Sequence, residues 1–290
     1  MDNKTIRLIY PQWQGGDIAR WLPEIDDEAL AARGYALGAR LLDFLVPAAG
    51  MPTYEVPVST APAERCVTDG VLDLGAIVEQ TAAALSLLNR VAPEKILTLG
   101  GECSTSVVPF TYLAEKYAGD VALVWIDAHP DITLPGDAYA GYHAMALSAC
   151  MGLGAASVVG RLPARFGADR ILLVGVRDWE RPEIEQRQHA LGLRHLAPAE
   201  VAADSRPVTA WLRACGASRV VVHFDLDVLD PAEITAGVGV VPGGLSMQAV
   251  ARIIQDIARE RELVGLTVAE AMPRTALRLR RMLEALPLFR

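Results

Sequence analysis

Two clusters of acidic residues, each placed directly after an apolar run, carry the chemistry legible in this sequence. In VALVWIDAHPD (Val121–Asp131), six apolar residues lead into Asp127, His129 and Asp131. Side chains alternate along an extended chain, so positions 127, 129 and 131 share one side if the extended path continues. Two carboxylates and an imidazole on one side make a hard-to-borderline metal site. The second cluster, VVVHFDLDVLDP (Val220–Pro231), delivers Asp225 and Asp227 in the same alternation before Asp230 and Pro231 turn the chain. An EF-hand is the other reading of D-x-D, but its mid-loop Gly and closing Glu are missing at the required spacing. Several carboxylates brought together at buried strand ends repel one another strongly unless cations lie between them. Two divalent ions held between the two strand ends account for both clusters.

The surrounding elements must therefore place two strand ends side by side. Val121–Ile126 and Val220–Phe224 are nearly continuous apolar runs, as expected of strands covered on both faces of a parallel sheet. Further strands are predicted at Thr5–Tyr10, Tyr54–Val58, Glu94–Leu99, Arg170–Val176 and Leu263–Ala269. Gln12–Asp17 and Leu134–Gly141 read as loops. Asp26 or Asp27 is positioned to cap a helix running to about Val46, and further helices are predicted at Leu72–Asn89, Ser106–Tyr117, Ala144–Met151, Pro182–Leu191, Pro207–Cys215, Ser246–Glu260 and Ala276–Leu286. Alternating strands and helices, without repeat or linker, predict an α/β fold: one three-layer α/β/α domain over residues 1–290 with a mainly parallel sheet. In such sheets ligands bind at the carboxyl ends of the strands, where both clusters lie.

Composition narrows the partners. The 290 residues carry a net charge of −8, which disfavours nucleic acid and anionic membranes as partners. No apolar stretch reaches transmembrane length and the amino-terminal stretch does not read as a signal peptide. Cys66, Cys103, Cys150 and Cys215 lie far apart without C-x-x-C pairing, the usage of a reduced, cytoplasmic protein.

Four segments in order, GGECS (Gly100–Ser104), DAHPD (Asp127–Asp131), HFDLDVLDP (His223–Pro231) and VAEAMP (Val268–Pro273), resemble the ureohydrolases, the arginase and agmatinase superfamily. The resemblance implies an arginase-like fold and hydrolysis of a guanidino group, in an arginine-like substrate, to urea and an amine at a two-manganese centre. Residue by residue it implies that Asp127 and Asp225 bridge two ions, that His129 and Asp227 complete one, and that Asp131 belongs to the other. A water shared by the paired ions would become a hydroxide near neutral pH. His143 corresponds to a proton shuttle for the leaving amine and Glu270 to the carboxylate that forks onto the guanidinium, so that His143, Glu270 and Asp131 form the implied catalytic set. Thr133, Asp137, Glu180 and Glu183 stand where the family recognises the rest of the substrate. A homo-oligomer, trimer or hexamer, is implied as well.

The departure from the pattern is Cys103, which stands where the family has a His ligand. A thiolate there would make zinc or nickel competitive with manganese, whereas a merely buried Cys would leave that ion weak or absent. The branch acting on N-hydroxylated arginine, with hydroxyurea as product, shares this Cys. Two other classes stay open: a metal hydrolase of the deacetylase kind, and a metal-poor pseudoenzyme with a binding or regulatory role. His189, His195 and His223 read as structural, with His223 directed away from the Asp pair.

Overall fold

The structure, a computed structural model, describes residues 4–287 other than 24, 26, 62 and 63. Eight strands form one sheet: β1 (Thr5–Tyr10), β2 (Thr53–Glu55), β3 (Lys95–Gly100), β4 (Val121–Ile126), β5 (Ile171–Val174), β6 (Arg194–Leu196), β7 (Arg219–Asp225) and β8 (Glu262–Ala269). Their order is β2-β1-β3-β8-β7-β4-β5-β6, and every pairing is parallel. The longer helices are α1 (Glu28–Leu45), α2 (Leu74–Val91), α3 (Val107–Lys116), α4 (Pro182–Ala190), α5 (Arg206–Cys215), α6 (Met247–Glu260) and α7 (Arg274–Ala285).

The strand period of two divides β4 between two cores. Val121, Leu123 and Trp125 pack with α2, α3 and Ile184 of α4. Ala122, Val124 and Ile126 face the other way, against Val208 and Trp211 of α5 and Ile253 and Ile257 of α6. Leu42 of α1 joins this second layer against Ile9 and Leu99. Helices on both faces of a parallel sheet give the expected three-layer α/β architecture. All six residues of β4 are buried, and each large apolar side chain among them contributes roughly 1.5–3 kcal/mol by leaving water.

Local signals set the boundaries. The Asp27 side chain accepts a hydrogen bond from the Leu30 amide at 2.9 Å and caps α1; Asp26, the other capping candidate, lies outside the described residues. Ser246 caps α6 by accepting from the Ala249 amide. The predicted strand to Val176 ends at Val174, because Gly175 adopts φ +96° and leaves the sheet. The helix predicted from Leu72 starts at Leu74, since Val71–Leu72 first pairs with Val67–Thr68 as a small hairpin. Parallel pairing then brings the carboxyl ends of β3, β8, β7 and β4, four neighbours in the sheet, to a single edge.

Candidate metal centre and active site

Asp127 follows the last residue of β4 and Asp225 is the last residue of β7, with Ile126 registered opposite Phe224. Each aspartate then bends the chain back on itself. Asp127 Oδ1 accepts from the His129 amide at 2.7 Å, and Asp225 Oδ1 accepts from the Asp227 amide at 2.7 Å. These Asx-type turns return the next functional side chain to the first. His129 Nδ1 lies 3.1 Å from Asp227 Oδ2 and 3.6 Å from Asp127 Oδ1. Asp127, His129 and Asp227 thus present ligating atoms within 4.8 Å of one another.

A second group shares Asp127. Cys103, on the turn after β3, places its Sγ 2.9 Å from Asp225 Oδ2, and Cys103, Asp127, His223 and Asp225 are all mutually within 4.8 Å. Asp131 turns in at φ +50° and is buried, with Oδ2 lacking any hydrogen-bond partner. It lines the same cavity but stands outside the close groups found among the described residues.

The electrostatics show what these groups require. Burial, then repulsion from neighbouring aspartates, raises the Asp127 pKa and holds Asp131 and Asp225 well above the ordinary carboxylate range. Burial and the surrounding carboxylates, Asp131 first, likewise push the Cys103 thiol well up. Burial opposes a charged His129, but Asp227 and Asp127 outweigh it and raise its pKa. Three buried carboxylates held above their usual range, an orphaned carboxylate oxygen and a set of oxygen, nitrogen and sulfur donors fit divalent cations. The cations would relieve both the repulsion and the missing hydrogen bond.

Beside this centre lie Glu270 and His143. Glu270 follows β8 at φ +66°, and its Oε1 accepts from the Cys103 amide at 3.1 Å and lies 3.4 Å from His143 Nδ1. Burial opposes the charge on His143, but Glu270 raises its pKa. The other ring nitrogen, Nε2, is 2.5 Å from the Tyr139 hydroxyl, which also meets the backbone N–H and C=O of Asp17, each at 3.2 Å. The His143 amide donates to Gly15 O. The loop from Gln12 to Asp17 therefore carries the imidazole from two directions, and Arg65 clamps that loop through Gln14 O and Gly16 O.

The cavity above is lined by Thr133, Tyr139, Asp178, Trp179 and Glu180, among others. Thr133 spends its hydroxyl proton on Ala144 O at 2.8 Å, keeping only acceptor capacity for a ligand. Glu180 is exposed at the rim. Two expected substrate contacts are corrected. Asp137 does not line the cavity, because both its oxygens are taken by the Arg187 fork at 2.5 and 2.9 Å. Glu183 projects from the first turn of α4 into solvent near Arg181, outside the cavity.

His223 is the third correction. It does not point away from the Asp pair: residues 223 and 225 are two apart on β7 and share a face, and His223 Nε2 lies 3.9 Å from Asp127 Oδ2. The period of two was sufficient to find it. Its pKa is lowered to about 4 by burial, so the ring is neutral. Tyr139 and Asp178 were also missed. Asp178 Oδ2 stands 3.8 Å from His129 Nε2, a proximity created by the meeting of two loops and carried by no motif.

Comparison with known proteins agrees with this geometry. A family model described as "Arginase family" matches residues 54–281. An arginase of Eremothecium gossypii is 29% identical over 189 residues, 62% of this chain and 47% of that protein, so the chain spans about half the length of that relative. An N(omega)-hydroxy-L-arginine amidinohydrolase of Streptomyces lavendulae is 29% identical over 205 residues, 68% of this chain and 70% of its own. Among solved structures, an arginase of Entamoeba histolytica in complex with L-ornithine superposes with a TM-score of 0.74 at 18% identity, covering 97% of this chain and 96% of that one.

Proposed function

This chain belongs to the arginase family, and on that premise we propose that it is a metal-dependent amidinohydrolase. It hydrolyses the guanidino, or N-hydroxyguanidino, group of an arginine-like substrate to urea, or hydroxyurea, and an amine. The observation that carries the reading is the convergence of Asp127, His129, Asp225, Asp227 and Cys103 beside Glu270 and His143 at one sheet edge. Asp127 is common to the two ligand groups and Asp225 belongs to one of them; with these two carboxylates, His129 and Asp227 would hold one ion and Cys103 and Asp131 the other. Manganese suits the carboxylates, and the Cys103 sulfur brings zinc or nickel into competition. When bound, the ions supply Lewis acidity that makes a water nucleophilic near neutral pH.

The chain's own residues do the rest. Glu270 accepts N–H bonds from the guanidinium and sets its carbon over the centre. His143, held by Tyr139 through Nε2, keeps Nδ1 toward Glu270 and moves a proton at that atom to the leaving amine. Trp21, Tyr139 and Trp179 wall the substrate tail off from water, and the exposed Glu180 receives a cationic amine on it. Thr133 contributes acceptor capacity. Residues 1–290 act as one catalytic domain. Cytoplasmic placement is supported by four free cysteines, and no helix among the described residues is long and apolar enough to cross a membrane. A homo-oligomer is supported by exposed apolar side chains on α1 (Leu41, Phe44 and Leu45) and α7 (Leu279 and Met282), of which Leu41, Leu45 and Leu279 line one groove.

The test is a screen of urea and hydroxyurea release over guanidino compounds, with manganese, zinc and nickel each supplied to metal-free protein. Release from at least one compound is expected. Protein that binds none of these ions would favour the metal-poor reading, in which the Cys103 thiol simply donates to Asp225.

A further inference from the structure

His223 is fully buried in the middle of the sheet, and its surroundings fix the ring in place. Trp125 stacks on it with ring centroids 3.7 Å apart and planes 18° from parallel. Nδ1 is 2.8 Å from Ser106 Oγ. Nε2, by contrast, has no hydrogen-bond partner, although it is buried and His223 belongs to one close group of possible ligands with Asp127 and Asp225. Its nearest charged neighbour, Asp127 Oδ2 at 3.9 Å, is too far for a hydrogen bond, and that oxygen already accepts from Trp125 Nε1 at 2.9 Å. A buried polar atom left without a partner is costly, and a native fold rarely retains one without a reason.

We propose that His223 Nε2 is a metal ligand, joining Cys103 Sγ, Asp127 and Asp225, and the Asp131 of the proposed function, around one of the two ions. The Nδ1 proton would be donated to Ser106 Oγ, which sets the tautomer and leaves the Nε2 lone pair facing the carboxylates. The donor atoms of all four residues already lie within 4.8 Å of one another, from β3, β4 and β7. Cys103 removes an imidazole from one side of this ion's surroundings, and His223 returns one from the sheet itself. A site that adds one thiolate and one imidazole to its carboxylates is softer than a site of oxygen and imidazole donors alone, and selects zinc or cobalt over manganese.

This inference rests on the two-ion centre of the proposed function, but its test needs no substrate. Metal-free wild type, His223→Phe and His223→Asn are titrated with zinc and with cobalt. Manganese-loaded samples of each are then examined by pulsed electron paramagnetic resonance for imidazole nitrogen couplings. Wild type is expected to bind two ions and show couplings from two imidazoles, His129 and His223. Both variants are expected to retain the ion at His129, lose one imidazole coupling, and bind the second zinc at least about tenfold more weakly. Melting of the metal-free proteins identifies which variant keeps the fold, and that variant decides. Unchanged zinc affinity and an unchanged coupling pattern in a folded variant, or a wild type that binds only one ion, would overturn the assignment. Loss of the coupling in a protein inactive on every guanidine would uphold it while removing the proposed reaction.

Discussion

Replacing Cys103 by Ser or His tests how the unusual donor behaves, and the structure sets the size of the effect. Burial, with Asp131, Asp225 and Glu270 around it, holds the thiol well above its ordinary pKa, and its Sγ lies 2.9 Å from Asp225 Oδ2. Ligation requires the thiolate, so at any pH below that raised value ion binding releases one proton from Sγ. From this group alone the apparent association constant changes tenfold per pH unit, about 1.4 kcal/mol, weakening as pH falls. The hydroxyl introduced by Cys103→Ser would stay protonated, bind the ion poorly and release one proton fewer. The imidazole introduced by Cys103→His would offer a nitrogen without a thiol proton to lose and shift preference toward manganese. Calorimetric titration in two buffers of different ionisation enthalpy counts the protons released near neutral pH. An equal count in wild type and Cys103→Ser would refute ligation by sulfur, whatever the activities.

Asp127→Ala or Asp225→Ala is expected to abolish turnover and reduce bound metal below two per chain, read by elemental analysis. Asp227→Ala should cost as much in turnover while leaving part of the metal. His143→Ala should keep metal content and KM but lower kcat by roughly two to four orders of magnitude, the usual range for general acid–base catalysis. Tyr139→Phe should lower kcat in the wild type and not further in the His143→Ala background, because its hydroxyl acts through Nε2; an equal loss in both backgrounds would make it only a wall residue. Asp137→Asn should leave KM unchanged and cost on the order of 1 kcal/mol of stability at neutral pH, discounted for partial exposure. Arg187 holds the Asp137 carboxyl below its ordinary value, so this contribution is complete above the unfolded pKa and fades as pH falls below about 4. Denaturant titrations at neutral and acid pH would show whether the gap closes.

What could be read from the residues depended on range. β4 and β7 were legible because burial on both faces demands uninterrupted apolar runs, and the strand-end aspartates followed from them. His223 was equally readable, and counting two residues back from Asp225 would have placed it with the carboxylates. Asp137 was misassigned for another reason. Its partner Arg187 is fifty residues away on α4, and no local pattern announces an ion pair between a loop and a helix. Tyr139 depends likewise on the backbone of Asp17, brought close only by the closed sheet. Strand edges drifted where backbone geometry overrode hydrophobicity, as at Gly175.

The place of β8 has a consequence for how the chain comes together. It is the last strand in sequence, yet it lies between β3 and β7. Before it docks, β2-β1-β3 and β7-β4-β5-β6 are two separate half-sheets, each with an open edge that can pair wrongly. Asp127 and Asp225 already meet within the second half-sheet, while Cys103 hangs from the first and Glu270 has not arrived. During synthesis at about 5–20 residues per second the nascent chain spends some seconds in this divided state. Insertion of one strand then closes the sheet, seals both edges and unites the candidate metal ligands with Glu270 in a single event. Partly folded forms of this protein therefore lack the assembled site, and β8 is where a destabilising substitution should slow maturation most.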